Sequence, residues 1–401
     1  MLELEEALRR ILAAIPQPAS ESVALTEAHG RVLAEQVWSP LDLPVFDNSA
    51  MDGYAVRAGD VAAAKPESPV RLRLVGKLAA GETSRAEVKA GTCVRLFTGS
   101  PLPPGADAVV IQEDTRVESS GAGEVLFLDS AKPLENVRSR GEDVKRGELL
   151  AQAGEFLTAG RISLLAAAGR THIGVGRRPV AGLLATGAEL REPGQPLGPG
   201  QIYDSNRIGL GALLGCAGAV AKVFPLVTDA LDATRQALEQ ALTECEVVVT
   251  SGGVSVGDMD FIRIAFERAG GELQFWKVAI KPGRPFVFGR YQTRLLFGLP
   301  GNPASALVTF LLLVRPALLR WQGATDVALP RHPGVLAEPL SNPGPRRHFM
   351  RVKVDAAGNI RSAGRQASHV LSSLAAANGL VDVPPETNLP SGTAVQVIRW
   401  E

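Results

Sequence analysis

Val247-Val248-Val249-Thr250 runs into Ser251-Gly252-Gly253-Val254-Ser255-Val256-Gly257-Asp258-Met259-Asp260, which leads into Phe261-Ile262-Arg263-Ile264-Ala265-Phe266. The first four residues show no polar alternation, the pattern of a parallel strand buried on both faces. The apolar spacing of the last six predicts a helix. At a Gly- and Ser-rich turn between strand and helix, backbone N–H groups converge on an anion and the helix N-terminus adds partial positive charge. Asp258 and Asp260 sit in the same turn. Carboxylates beside a phosphate repel it unless a divalent cation bridges them. The passage therefore reads as a site for a phosphorylated ligand with Mg²⁺, with Ser251, Gly252, Gly253, Ser255 and Gly257 around the anion. It reads equally well as a Gly-rich turn with an Asp cap on the next helix.

Outward from this turn, strand and helix patterns alternate across 179–322. Val180-Ala181-Gly182-Leu183-Leu184 predicts a strand that ends at Thr186-Gly187-Ala188-Glu189. Asp204-Ser205 offers a cap to a helix running towards Gly215, 219–224 is a second strand, and Asp229 opens a helix through Ala241. Further strands are expected over 272–280 and 294–299. Such alternation predicts a parallel sheet covered by helices, with ligands at the carboxyl ends of its strands. Glu189, Asp229, the Gly-rich turn and Leu299-Pro300-Gly301-Asn302-Pro303 all fall at those ends.

The flanks read differently. Short β runs with many Gly and Pro turns fill the region up to Arg138, and alternating runs at 349–354 and 394–399 suggest a barrel or sandwich. Leu4, Leu8, Ile11, Leu12 and Ile15 line one face of an N-terminal helix, and 158–169 reads as a second helix stopped by Gly169. The expectation is a multidomain α/β plus β chain. A central three-layer α/β domain with a mostly parallel sheet occupies 176–322 and a small mostly-β domain 53–138. An elongated helical/β connecting domain comprises 1–52 and 139–175, and a C-terminal β-barrel-like domain 323–401.

Composition narrows the function. Lys+Arg and Asp+Glu both number 42, so no global field favours nucleic acid or a membrane surface, and any anion site is local. Cys93, Cys216 and Cys245 lie far apart without metal spacing, which fits a reducing cytoplasm. The acidic N-terminus is unlike a signal peptide. The most apolar stretch, 304–314, stops at Arg315-Pro316 and is too short to span a bilayer.

Three further segments carry candidate chemistry. Pro44-Val45-Phe46-Asp47-Asn48-Ser49-Ala50-Met51-Asp52-Gly53 packs Asp47, Asn48, Ser49 and Asp52 into one loop. Asp47 and Asn48 read best as local Asx caps, and Asp52, beside Gly53, gains a functional reading only from the motifs taken together. Arg138-Ser139-Arg140-Gly141-Glu142-Asp143 is either a surface ion-pair cluster or a clasp for phosphate or an oxyanion oriented by Asp143. Lys277 and Lys281-Pro282-Gly283-Arg284 bring cations to the end of a strand, where they are either a solvated edge or aimed at an anion.

Taken together, Phe46-Asp47-Asn48-Ser49-Ala50-Met51-Asp52-Gly53-Tyr54-Ala55, Thr98-Gly99, Arg140-Gly141-Glu142-Asp143, the turn from Ser251 to Asp258, Lys281-Pro282-Gly283 and Leu299-Pro300-Gly301-Asn302-Pro303 resemble the molybdopterin molybdenumtransferase family, which includes the C-terminal domain of gephyrin. The motifs spread over nearly the whole chain in the family's order. The resemblance implies four domains in an elongated homodimer. It implies Mg²⁺-dependent use of adenylylated molybdopterin and molybdate, giving molybdenum cofactor and AMP. It also implies functional positions at Asp52, Thr98, Arg138, Asp143, Glu189, Asp229, Asp260, Lys277, Lys281, Pro300 and Pro303. The metal would lie near Asp229, Asp258 and Asp260, and the looser motif Gln366-Ala367-Ser368-His369 with Ser372-Ser373 would belong to the same set. Ala188 and Ser139 depart from the family pattern, where an acid and an arginine are common. Beyond the second copy, the adenylyltransferase that makes the substrate and molybdoenzyme apoproteins are the expected partners. That adenylyltransferase activity and a gephyrin-like scaffold are the competing functions.

Overall fold

The computed structural model describes residues 1–83, 86–117, 123–254 and 261–400. The chain forms two compact units. One comprises Met1–Glu35, Ala153–Thr158 and His172–Glu401, the other Gln36–Gln152 and Ala159–Thr171.

The larger unit is organised by a six-stranded sheet. Its strands are β1 (Val180–Ala185), β2 (Val220–Val223), β3 (Val247–Ser251), β4 (Glu272–Trp276), β5 (Val287–Tyr291) and β6 (Arg294–Leu299), in the order β2-β1-β3-β6-β5-β4. The first four in that order are mutually parallel, and β5 and β4 continue antiparallel at one edge. Helices α1 (Asn206–Cys216), α2 (Leu231–Glu244) and α3 (Phe261–Arg268) follow strands, as the alternation predicts. Successive strand residues face opposite cores because side chains alternate across a strand. Leu183, Val249 and Phe297 join Leu210 and Leu214 of α1 on one face. Their neighbours Leu184, Val248 and Leu296 join Leu238 and Leu242 of α2 and Phe266 of α3 on the other. That double burial is why the strands read as unbroken apolar runs.

The structure departs from two of the sequence expectations. The run 272–280 is not one strand. It ends at Trp276, Lys277 adopts φ +78°, and Ile280–Lys281 pairs with Arg347 and His348 in the C-terminal sheet. The apolar stretch 304–314 does not stop at Arg315-Pro316 either. Pro303–Trp321 runs on as a helix, with a π-helical turn at Phe310–Val314 just before Pro316. A proline removes a donor and crowds the preceding turn, and the wider turn accommodates it. The helix is long and apolar enough to cross a membrane, yet Phe310, Leu313, Val314, Ala317 and Leu318 are almost wholly buried in the protein core.

In the C-terminal part, Arg347–Val354, Asn359–Ser362, Arg331–Leu336, Ala394–Ile398 and Gly379–Val383 pair in sequence, and the last pairs back to the first. This closed barrel encloses Leu336, Met350, Val352, Ile360, Val381 and Val397. The N-terminal helix Leu4–Ala13 buries Leu4, Ala7 and Ile11 against the α/β core.

The smaller unit contains a six-stranded sheet of Ala108–Ile111, Gly53–Val56, Thr92–Leu96, Val70–Leu78, Glu124–Phe127 and Thr115–Val117, in that order. Its core is small, built on Tyr54, Val56, Leu72, Cys93, Val110 and Phe127. The helix Ala159–Ala167 also belongs to this unit.

Candidate functional site

A cavity of about 700 Å³ opens at the carboxyl ends of the parallel strands. The turn after β1 contributes Thr186, Gly187 and Glu189, and the segment before α2 contributes Asp229. Ser251, Gly252 and Gly253 follow β3, and Pro300, Gly301, Asn302 and Pro303 follow β6. The four junctions singled out in the sequence thus meet in one place, as expected for an open α/β sheet.

Backbone chemistry explains the turn after β3. Gly252 and Gly253 have φ of +87° and +66°, values side chains rarely tolerate. A Cβ on Gly252 would lie 2.7 Å from the Thr186 carbonyl oxygen, and one on Gly253 would lie 2.9 Å from Thr186 Oγ1. Gly252→Ala should therefore cost about 1–3 kcal/mol of stability. A urea titration checks this, and an unchanged midpoint would mean the turn relaxes freely. Ser255, Gly257, Asp258 and Asp260 lie outside the described residues.

Asp229 does not cap α2. The residue before that helix is Ala230, which makes no side-chain cap, while Asp229 Oδ2 accepts the Ala188 N–H at 3.1 Å. The carboxylate is thereby pinned to the β1 turn that carries Glu189. Among the described residues no group of three or more His, Cys, Asp or Glu side chains is arranged to hold a metal. Two of the three carboxylates named for Mg²⁺, Asp258 and Asp260, lie outside them.

Several contributors were not singled out in the sequence. Asn206, at the start of α1, donates through Nδ2 to Ser251 Oγ at 2.8 Å and to the Gly301 carbonyl at 2.7 Å, tying two of the cavity's turns together. Asp204 is 3% exposed and receives the Asn206 N–H at 3.0 Å while pairing with the buried Arg207. The visible signal was Asp204-Ser205, which the pattern explains as a cap. The looser C-terminal motif also arrives here. Asn302 Nδ2 donates to Ser368 Oγ at 3.1 Å, and His369 and Leu371 line the cavity. Arg351 is fully buried and fixes that segment, donating to Ser373 Oγ and to the carbonyls of Arg365 and Ala367. Its Nη1 is buried without a partner. An arginine within an alternating strand run gives no sign of such a role.

Lys277, Lys281 and Arg284 are not part of the cavity lining. The Lys277 ammonium lies 3.8 Å from the Trp276 ring centroid, and the Trp276 indole N–H donates to the Val254 carbonyl beside the glycine turn. Lys281 lies in register with His348. Burial, then the charges of Lys281, Arg351 and Arg346, push the His348 imidazole down to about 4. Both ring nitrogens of His348 lack partners.

In the smaller unit, Asp52 Oδ1 accepts the backbone N–H and the hydroxyl of Thr98, each at 2.8 Å, and these bonds lower its pKa. Of the two Asx residues, Asn48 bonds locally to the Phe46 carbonyl, whereas Asp47 accepts the Arg140 N–H. Arg140 takes Asp42 as its partner at 2.6 Å rather than Asp143. Arg138 is exposed and in register with Asn48, and Asp143 is exposed, its N–H bonded to Leu43.

Three family models match in succession: the MoeA N-terminal region (domain I and II) over residues 2–169, the probable molybdopterin binding domain over 182–320, and the MoeA C-terminal region (domain IV) over 333–400. A molybdopterin molybdenumtransferase from Haemophilus influenzae is 37% identical, covering 99% of this chain and 98% of that protein. Molybdopterin molybdenumtransferase 2 from Mycobacterium tuberculosis is 40% identical, covering 95% and 94%. The crystal structure of a molybdopterin biosynthesis MoeA protein from Pyrococcus horikoshii superposes with a TM-score of 0.85 at 30% identity, covering all of both chains. This chain belongs to the molybdopterin molybdenumtransferase family, and is an enzyme of that family.

Proposed function

We propose that the chain inserts molybdate into adenylylated molybdopterin, with hydrolysis of the nucleotide bond and release of molybdenum cofactor and AMP. The observation that carries this reading is the cavity in which a glycine turn, the acids Glu189 and Asp229 and the 300–303 loop converge. The Gly252 N–H is taken by the Leu299 carbonyl at 3.1 Å, and the N–H of Gly253 at the same turn suits a phosphate oxygen. The carboxylates beside it fit a hard divalent cation that offsets phosphate charge. Asp229 and Glu189 would hold Mg²⁺, with Asp258 and Asp260 as further ligands. When bound, the ion supplies polarisation of a phosphoryl oxygen. The chain's own part is to fix the acids and the phosphate relative to one another, which Asn206 and the Asp229–Ala188 bond do.

Lys281, Arg284, Arg346 and Arg351 form a cation-rich region against the barrel. We assign molybdate to Lys281 of this set together with Lys277, which stands before it in the chain. Lys281→Ala should raise the molybdate concentration needed for turnover about tenfold or more, since bonds to charged groups contribute about 1.5–3 kcal/mol. Nucleotide affinity should change less. Calorimetric titration of both ligands separates the two, and loss of nucleotide affinity with an unchanged molybdate response would move the oxyanion elsewhere.

Asp52, Thr98, Arg138 and Asp143 complete the site in our reading, supplied by the partner of a cytoplasmic homodimer. Light scattering at micromolar concentration should give the dimer mass, and a monomer alone would count against it. The domain boundaries 1–52 with 139–175, 53–138, 176–322 and 323–401 are part of the same proposal. The activity is tested by supplying adenylylated molybdopterin, molybdate and Mg²⁺ and measuring AMP. Molybdate-dependent AMP release supports the reading. Formation of the adenylylated compound from ATP and molybdopterin would instead assign the adenylyltransferase reaction.

A further inference from the structure

We propose that Tyr203 is the stacking platform of the cavity, against which a fused heteroaromatic ring of the ligand lies. The proposal rests on the functional reading above and adds the element that recognises the ring. A ligand held only by phosphate contacts would leave its flat rings without partners, and the glycine turn, Asp229 and the 300–303 loop are all suited to the charged part.

Tyr203 differs from every other aromatic side chain in its setting. It lines the cavity, and it is 44% exposed although tyrosine carries a large apolar ring. Among the described residues His369 is the one other aromatic ring in the lining, and no tryptophan or phenylalanine joins them. The Tyr203 ring is also held in place. Its hydroxyl donates to the Gln195 carbonyl at 2.9 Å, which leaves the ring faces unused by that bond. Its backbone is fixed on both sides. Ile202–Tyr203 pairs in parallel with Leu190–Arg191, and the Ile202 N–H bonds to the carbonyl of Glu189. Next along the chain, Asp204 is buried in its pair with Arg207 and anchors the start of α1.

The geometry has a functional consequence. The ring is connected through two residues to Asn206, which clamps the glycine turn to Gly301, and through one strand pair to Glu189. A ring stacked on Tyr203 would therefore be placed at a fixed distance from the phosphate-binding turn and the acids. An exposed aromatic with a pinned polar tip loses little entropy on binding, which suits it to recognise a flat ring. Stacking of a base on an aromatic side chain contributes about fivefold to a hundredfold in affinity by alanine substitution.

The test compares Tyr203→Ala, Tyr203→Phe and the parent in calorimetric titrations with AMP, with a simple pterin and with inorganic pyrophosphate. Tyr203→Ala should weaken AMP or the pterin about fivefold or more and leave pyrophosphate within about twofold. Which of the two weakens identifies the stacked ring as adenine or pterin. Tyr203→Phe keeps the ring and should stay within about threefold of the parent. Equal weakening of all three ligands in Tyr203→Ala overturns the proposal, since the cavity as a whole would have been damaged. So does binding of AMP and pterin unchanged from the parent. A parent protein that binds neither AMP nor pterin overturns the functional reading itself and this proposal with it.

Discussion

Asp229→Ala should lower turnover by at least about a hundredfold while shifting stability by about 1 kcal/mol, the contribution of one hydrogen bond. The carboxylate lines the cavity and accepts the Ala188 N–H, so it has both a local partner and a view of the ligand. The two roles can be separated. Asp229→Asn keeps an oxygen to accept that N–H but carries no charge. If the charge at this position serves the cation and the phosphate, Asp229→Asn should be nearly as inactive as the alanine variant and as stable as the parent. If the hydrogen bond is what matters, the asparagine variant should recover most of the activity. Steady-state AMP release, with a thermal melt of each variant, reads both quantities.

Stability should fall as pH drops from about 6.5 to about 4, and His348 should account for about 3 kcal/mol of that fall. The imidazole is 3% exposed and has no partner for either nitrogen, and burial holds its folded pKa near 4 against an ordinary value near 6.5. A proton added to the ring would also meet Lys281, Arg351 and Arg346. The sign follows from linkage. Between those pH values the unfolded chain binds the proton and the folded chain does not, so unfolding is favoured as pH falls. Above about 6.5 the group contributes no pH dependence. His348→Leu cannot take up the proton in either state and should flatten this part of the profile. Urea titrations across pH 4–7 measure it, and parallel slopes for parent and variant would place the acid sensitivity in other groups.

Much of the fold could be read from the residues because burial leaves a mark on composition. The runs at 180–185, 247–251 and 294–299 are apolar on both faces, and the structure buries both faces. β5 was missed because Val287–Tyr291 and Arg294–Leu299 form a tight antiparallel hairpin, and without a helix between them the βα rhythm gives no cue. The break at Lys277 was invisible for a different reason. A positive φ at lysine and a change of sheet at Ile280 are decided by tertiary pairing with Arg347 and His348, which no local pattern encodes. At the site, glycines and acids at strand ends were legible, since their chemistry demands those residue types. Asn206, Tyr203 and Arg351 were not. Asparagine before a helix reads as a cap, tyrosine in a loop as surface, and arginine in a strand as an edge.

The central claim is that the ends of β1, β3 and β6 hold the nucleotide and its phosphates, with molybdate at the neighbouring lysines. The most direct measurement is a crystal structure of the protein with AMP, Mg²⁺ and molybdate. The expected result is the phosphate within hydrogen-bond distance of the backbone N–H at Gly253, the metal near Asp229, and the oxyanion against Lys281 or Lys277. Nucleotide density at any other surface, with this cavity empty, would contradict it.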